Sequence, residues 1–135
     1  MRHLLWLVLV GMAALLLSCG DSGSSGPEPP PDPIQGWLKV RLGSPNADDG
    51  GIMFTVSGGQ VDSVRSAYSD LFFSSGNASP RRIIVAGNLT SGIVAEIQVP
   101  DVASVAQYSA TLQEAAARES YEQRSVSLYS LAVER

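Results

Sequence analysis

Residues 37–42 read Trp-Leu-Lys-Val-Arg-Leu, and the alternation in this stretch decides the fold class. Leu38, Val40 and Leu42 share one face, while the two residues between them are charged. A period of two residues is typical of a β-strand with one buried face, because successive side chains of a strand point to opposite sides. The pattern therefore predicts a half-buried strand at the start of a domain.

The same reasoning predicts further short strands, separated by loops rich in Gly, Pro, Asn and Ser. Two of them, 82–86 and 93–99, are joined by a six-residue turn, which predicts a β-hairpin. In the second strand the alternation places Ile93 on the core face and Val94 on the outer face. The other predicted strands are 52–56, 60–64, 71–74, 108–112 and 127–134.

Residues 101–124 fit two structures. Asp101 can cap a helix, and the intrinsic propensities favour a helix over 112–124. Against a helix, the apolar residues of 108–112 alternate with polar ones, as they do in a strand. We interpret the segment as a strand, followed by a loop or one short helix near 116–123.

Short strands at regular spacing with Gly and Pro turns are typical of an antiparallel sandwich. The sequence therefore predicts an all-β domain over 36–135, with an antiparallel, immunoglobulin-like β-sandwich. Several segments also follow one another in an order that is similar to that of a known family. These segments are 37–42, 52–56, 61–64, 84–88, 92–97 and the final strand.

This order resembles the cohesin-type β-sandwich modules, over about 36–135 of the chain. The resemblance implies a cohesin-like domain that binds a protein partner through a sheet face, as cohesins bind dockerin modules. It assigns no residue of this chain to such a face, because each matching segment is short and generic.

An uncharged apolar run, residues 4–17, precedes the domain. As a helix it would measure about 21 Å at ~1.5 Å per residue, which is short of the ~30 Å hydrocarbon core of a bilayer. The run ends in Leu16-Leu17-Ser18-Cys19, which resembles the lipobox of bacterial lipoproteins. That resemblance implies a signal peptide over 1–18, its removal, and lipidation of Cys19, the single cysteine. The alternative is a plain signal peptide or a short membrane anchor with an incidental cysteine.

Residues 19–35 are rich in Gly and Ser at first and in Pro later. A Gly/Ser segment is a flexible linker, and a Pro-rich segment is a semi-rigid spacer. The expected organisation is a tether that holds the domain off a membrane through the lipidated N-terminus. We expect the domain to lie outside the cytoplasm, at the bacterial cell envelope.

The residue types that the chain lacks exclude several kinds of chemistry. The single histidine is His3, inside the predicted signal peptide. Its removal excludes the Ser-His-Asp and Cys-His nucleophile systems and the ordinary zinc sites. A net charge of −4 and a single lysine, Lys39, leave no basic stripe, so we expect no nucleic-acid partner.

Asp48 and Asp49 form the densest acidic spot, on a loop that continues with two glycines. Two carboxylates on such a loop can hold calcium, which takes about six to eight oxygen ligands. Asp-Gly is also a common turn, and we favour the turn because the full spacing of a calcium loop is absent. We expect no other cofactor.

Three further residues are candidates for binding. Arg81 and Arg82 can take a carboxylate or an anionic sugar, although we favour a solvated strand end. Trp37 can stack on a sugar or a partner if it faces outward, and packing is the alternative.

The sequence thus favours a non-catalytic, lipid-anchored module of the cell envelope that binds another protein or a surface glycan. One alternative is a small hydrolase that uses carboxylates such as Asp48 or Asp49. The other is a structural envelope lipoprotein without a specific ligand.

Overall fold

The computed structural model describes residues 27–76 and 79–135, and Asp32–Arg135 form one compact unit. Residues 1–18 and Cys19 lie outside the described residues, so the signal peptide and the lipidation stay predictions. The unit begins slightly before residue 36, because Ile34 is already bound to it. The N–H of Ile34 donates to Asp101 Oδ1 at 3.2 Å, and the N–H of Val102 donates to the Ile34 carbonyl at 2.8 Å.

Two antiparallel sheets form the fold, as the alternating sequence pattern predicts. A four-stranded sheet has the order β3-β6-β1-β9, and a five-stranded sheet has the order β4-β5-β2-β7-β8. The prediction of an all-β antiparallel sandwich is confirmed. The strands are β1 Gly36–Gly43, β2 Asp49–Ser57, β3 Ser63–Arg65, β4 Asp70–Phe73, β5 Arg81–Leu89, β6 Gly92–Val99, β7 Ser109–Ala117, β8 Gln123–Arg124 and β9 Ser130–Glu134.

The core lies between the two sheets and is built from every second residue of the long strands. In β1 the three alternating apolar residues are all buried, as predicted. Phe54, at the middle of β2, is the largest fully buried side chain. Burying a side chain of this size stabilises the fold by about 1.5–3 kcal/mol. The complete core of buried hydrophobic residues lies between Leu38 and Ala117.

The predicted hairpin of 82–86 and 93–99 is wrong. Strand β5 pairs with β2 and β4, whereas β6 pairs with β1 and β3, so the connection crosses from one sheet to the other. The turn is also shorter than predicted, because β5 continues to Leu89. Gly92 follows with a φ of 142°, a conformation that favours glycine and lets the chain change direction abruptly.

The side-chain directions at the start of β6 are the reverse of those predicted. Ile93 is exposed and Val94 is buried. The cause is a β-bulge, because Val40 pairs with Ala95 and Arg41 pairs with Ile93, which leaves Val94 as an extra residue. A bulge of this kind interrupts the period of two.

Residues 101–124 contain a strand with a short helix before it. A 3₁₀ helix, Val102–Gln107, begins at Asp101, whose carboxylate accepts hydrogen bonds from Ala103 N–H at 3.0 Å and Ser104 Oγ at 2.8 Å. These bonds lower the pKa of Asp101. The short helix suggested near 116–123 is absent, since that stretch forms the end of β7, a turn and the start of β8.

Candidate functional site

A groove of about 300 Å³ lies on the outer face of the five-stranded sheet, where β2, β7 and the turn before β8 meet. Its floor is low because Gly51 of β2 pairs with Ala116 of β7, and neither residue has a large side chain. The residues that line it are Gly51, Ile52, Met53, Glu114, Ala115, Ala116, Tyr121 and Gln123.

The strand registers bring the polar side chains of the groove together. Met53 pairs with Glu114, and Ala116 pairs with Gln123 of β8. A carboxylate accepts hydrogen bonds, and an amide both donates and accepts them. The groove therefore offers both kinds of hydrogen-bonding group around an uncharged floor.

Tyr121 is the exposed aromatic wall of the groove. Its side chain is 81% exposed, and its φ of 57° lies in the left-handed region, which is uncommon for residues other than glycine, Asn and Asp. The turn enforces this conformation, since Tyr121 N–H donates to the Ala117 carbonyl at 3.2 Å and Ala117 N–H donates to the Glu122 carbonyl at 2.9 Å. Backbone of this kind occurs in the turns of hairpins and clusters at binding and active sites.

Asp48 and Asp49 are joined by Arg124. Asp49 is completely buried, and it accepts hydrogen bonds from Ser44 Oγ and from the Tyr129 hydroxyl. Arg124 Nη2 lies 2.7 Å from Asp48 Oδ1, and Arg124 Nε lies 3.6 Å from Asp49 Oδ1. The pKa of Tyr129 is raised, first by its burial and then by its hydrogen bond to Asp49.

This network argues for a structural role of the two carboxylates. Arg124 already supplies the positive charge that calcium would supply. Within 27–76 and 79–135 no group of three or more His, Cys, Asp or Glu residues is placed to hold a metal ion. Asp49 is completely buried and offers no accessible carboxylate, whereas the side chain of Asp48 is 59% exposed and is paired with Arg124.

Arg81 and Arg82 lie in different environments. Arg82 is exposed, as expected of a solvated strand end. Arg81 is only 3% exposed, so the prediction of a solvated strand end is wrong for this residue. The alternation of β5 places Arg81 on the same buried face as Ile83. Its guanidinium carbon lies 5.1 Å from the ring centroid of Phe73, and its Nε and Nη1 atoms have no hydrogen-bond partner among the described residues.

Trp37 lies on the outer face of the four-stranded sheet and is half-buried. The guanidinium of Arg65 covers its ring at 4.2 Å, and Arg65 Nε binds Glu96 at 2.5 Å. A second ion pair joins Arg41 to Glu134 at 2.7 Å, which raises the pKa of Arg41 and lowers that of Glu134. Arg65, which covers the Trp37 ring, is thus itself paired with Glu96, which supports packing as the role of Trp37.

Comparisons with known proteins return no matching family model, no matching curated protein and no matching solved structure. The cohesin-type and lipobox resemblances therefore stay predictions. In the part of the chain described, no helix has the length and apolar character needed to cross a bilayer.

The sequence reasoning missed the groove residues Glu114, Tyr121 and Gln123. The sequence signal for the groove was the run of three alanines, 115–117, because small side chains in a strand leave a depression on the sheet face. It also missed Arg124, because an ion pair with Asp48, so distant in sequence, has no local pattern.

Proposed function

We propose that this protein is a lipid-anchored binding module of the bacterial cell envelope, and that its groove binds a neutral glycan. The observation that carries the proposal is Tyr121, an exposed aromatic ring held in the left-handed region beside a groove with a carboxylate and an amide. The lipobox resemblance and the tether supply the location.

The chemistry of the groove fits a sugar. A sugar ring has an apolar face of C–H groups, which can stack on Tyr121, and hydroxyls that donate to Glu114 and exchange hydrogen bonds with Gln123. Small-ligand sites enclose roughly 300–1,000 Å³, so this groove suits one or two sugar units. A specific protein interface needs about 800 Å² per partner with an apolar centre, which the small floor residues do not provide.

The negative charge at the groove restricts the class of glycan that it can bind. Glu114 lines the groove, and the chain has a net charge of −4. An acidic sugar would bring a second negative charge beside that carboxylate. Neutral glycans are therefore the favoured ligands.

The experiment uses the unit 32–135, which contains the complete core. Neutral and acidic glycans are compared on an array, and the best neutral glycan is then titrated by calorimetry. We expect saturable binding that Tyr121→Ala weakens about two- to tenfold, from the ~0.5–1.5 kcal/mol of an aromatic contact. Leu128→Ala is the matched control, because Leu128 is 78% exposed and does not line the groove. Equal losses in the two variants, or binding of acidic glycans alone, would refute the proposal.

A further inference from the structure

Among the described residues, strand β4 is an open edge of the five-stranded sheet. It pairs on one side with β5, and its sequence, Asp-Leu-Phe-Phe, contains neither the Lys nor the Pro with which proteins usually protect an edge. Phe72 is 62% exposed and Phe73 is 42% exposed. An apolar open edge of this kind is a template for pairing with another strand.

The outer face along this edge presents an acidic, an apolar and a basic group, in that order. Asp70 lies at one end, and Phe72 lies opposite Ile84 in the middle. Arg82 is at the other end, where its carbonyl accepts a hydrogen bond from the N–H of Ser74 at 3.0 Å. Neither Asp70 nor Arg82 belongs to an ion pair among the described residues.

We propose that two copies of this chain pair antiparallel through β4 and join their five-stranded sheets into one. A twofold axis reverses the order of the groups, so the acidic end of each edge meets the basic end of the other. Asp70 of one copy then lies opposite Ser74 of the second copy, and the long side chain of Arg82 on the neighbouring β5 of that copy reaches it on the same face. This contact occurs twice. Charge complementarity selects a second copy as the occupant of the edge.

The register of this pairing follows from the ladder between β4 and β5. Since Ser74 and Arg82 are hydrogen-bonded to each other, the alternation of an antiparallel ladder leaves the N–H and C=O groups of Leu71 and Phe73 directed to the open edge. Leu71 then pairs with Phe73 of the second copy. The two Phe72 side chains meet at the axis as a non-hydrogen-bonded pair, the closer of the two pair types.

This arrangement turns both outer faces to the same side. The two grooves then lie on one surface and can bind one polymeric ligand together, which raises the effective affinity. This last consequence rests on the proposed function, whereas the pairing itself does not.

Sedimentation velocity of the unit 32–135 tests the pairing. We expect the wild-type mass to double with rising concentration and Phe72→Lys to remain a monomer. Ile93→Lys is the control, because Ile93 is an exposed apolar residue too, at 42%, but lies on the four-stranded sheet. We expect this variant to dimerise. Tyr121→Asn, which affects the groove, should dimerise normally, so a failure of glycan binding is distinguishable from a failure of pairing.

Charge reversal tests the register. Asp70→Arg and Arg82→Asp should each raise the dissociation constant of the dimer about tenfold, as expected for two equivalent surface ion pairs. The double variant should restore it to within about threefold of the wild type. A wild-type chain that is monomeric at millimolar concentration, a double variant without recovery, or assemblies larger than a dimer would each overturn the proposal.

Discussion

The hydroxyl of Tyr129 donates a hydrogen bond of 2.7 Å to the completely buried carboxylate of Asp49. The same hydroxyl accepts a hydrogen bond from Asn46 Nδ2 at 2.8 Å. These bonds tie the loop after β1 to the segment that leads into β9. Asp49, the buried residue of the acidic spot, therefore connects two distant parts of the chain.

Tyr129→Phe should lower the free energy of unfolding by about 1–3 kcal/mol, because it leaves a buried carboxylate oxygen without this donor. Urea unfolding followed by circular dichroism measures the loss. Tyr121→Phe is the control and should change the stability by less than about 0.5 kcal/mol, because its side chain is exposed. A Tyr129→Phe variant as stable as this control would contradict the structural role of the network.

The same tyrosine predicts a loss of stability in alkali. Burial and Asp49 raise the pKa of Tyr129 in the folded state, so the stability it contributes is present below about pH 10, the ordinary pKa of the phenol. It is lost as the pH rises through the raised folded pKa, since the unfolded chain ionises first. Urea midpoints measured from neutral to alkaline pH should fall above about pH 10, and they should fall less steeply in Tyr129→Phe. Equal slopes in the two proteins would count against the prediction.

Calcium should leave the thermal midpoint of the unit 32–135 unchanged, because Arg124 pairs with both Asp48 and Asp49. A ligand that binds only the folded state raises the midpoint in proportion to its binding free energy. Differential scanning calorimetry with excess calcium, and with magnesium as the control ion, makes the comparison. A calcium-specific rise that Asp48→Asn removes would restore the calcium site as an interpretation.

Arg81→Met should make the protein more stable, by about 1 kcal/mol, because it removes a buried charge and keeps the volume of the side chain. Urea unfolding in dilute solution is the measurement. The matched control is Arg82→Met, which replaces the neighbouring, exposed arginine. It should change the stability by less than about 0.5 kcal/mol. Destabilisation by Arg81→Met would show that the guanidinium has a partner that compensates its charge.

Gly58 cannot be replaced without strain. Its φ is 100°, and a Cβ atom there would overlap the carbonyl oxygen of Gln107. Gly58→Ala should therefore cost at least about 2 kcal/mol of stability, as measured by urea unfolding. Gly76→Ala is the control, since Gly76 also has a positive φ, of 78°, but a Cβ atom added there would meet open space. This substitution should lower the stability by only about 1 kcal/mol. Equal costs would contradict the close approach to Gln107.

The alternation in the sequence was sufficient for most of the strands and for much of the core. The predicted strand 127–134 is wrong at its start, where Val126–Leu128 form a 3₁₀ helix, and β7 continues past the predicted end at 112 to Ala117. It was not sufficient for the β-bulge at Val94, because an extra residue in one strand depends on the register of its neighbour, β1. The sheet to which β5 and β6 belong could not be predicted either, since a strand with one apolar face fits both sheets of a sandwich. The groove needs the pairing of Gly51 with Ala116, which joins residues far apart in the chain.

The measurement that tests the central claim most directly is calorimetric titration of a neutral glycan into the wild-type unit and into Tyr121→Asn, together with their urea unfolding. Asn tolerates the left-handed region better than Tyr, so the variant should be at least as stable as the wild type, while its affinity falls about two- to tenfold. Stability retained with affinity lost is the result that the account predicts. Unchanged affinity in Tyr121→Asn, or no heat of binding from the wild type, would contradict it.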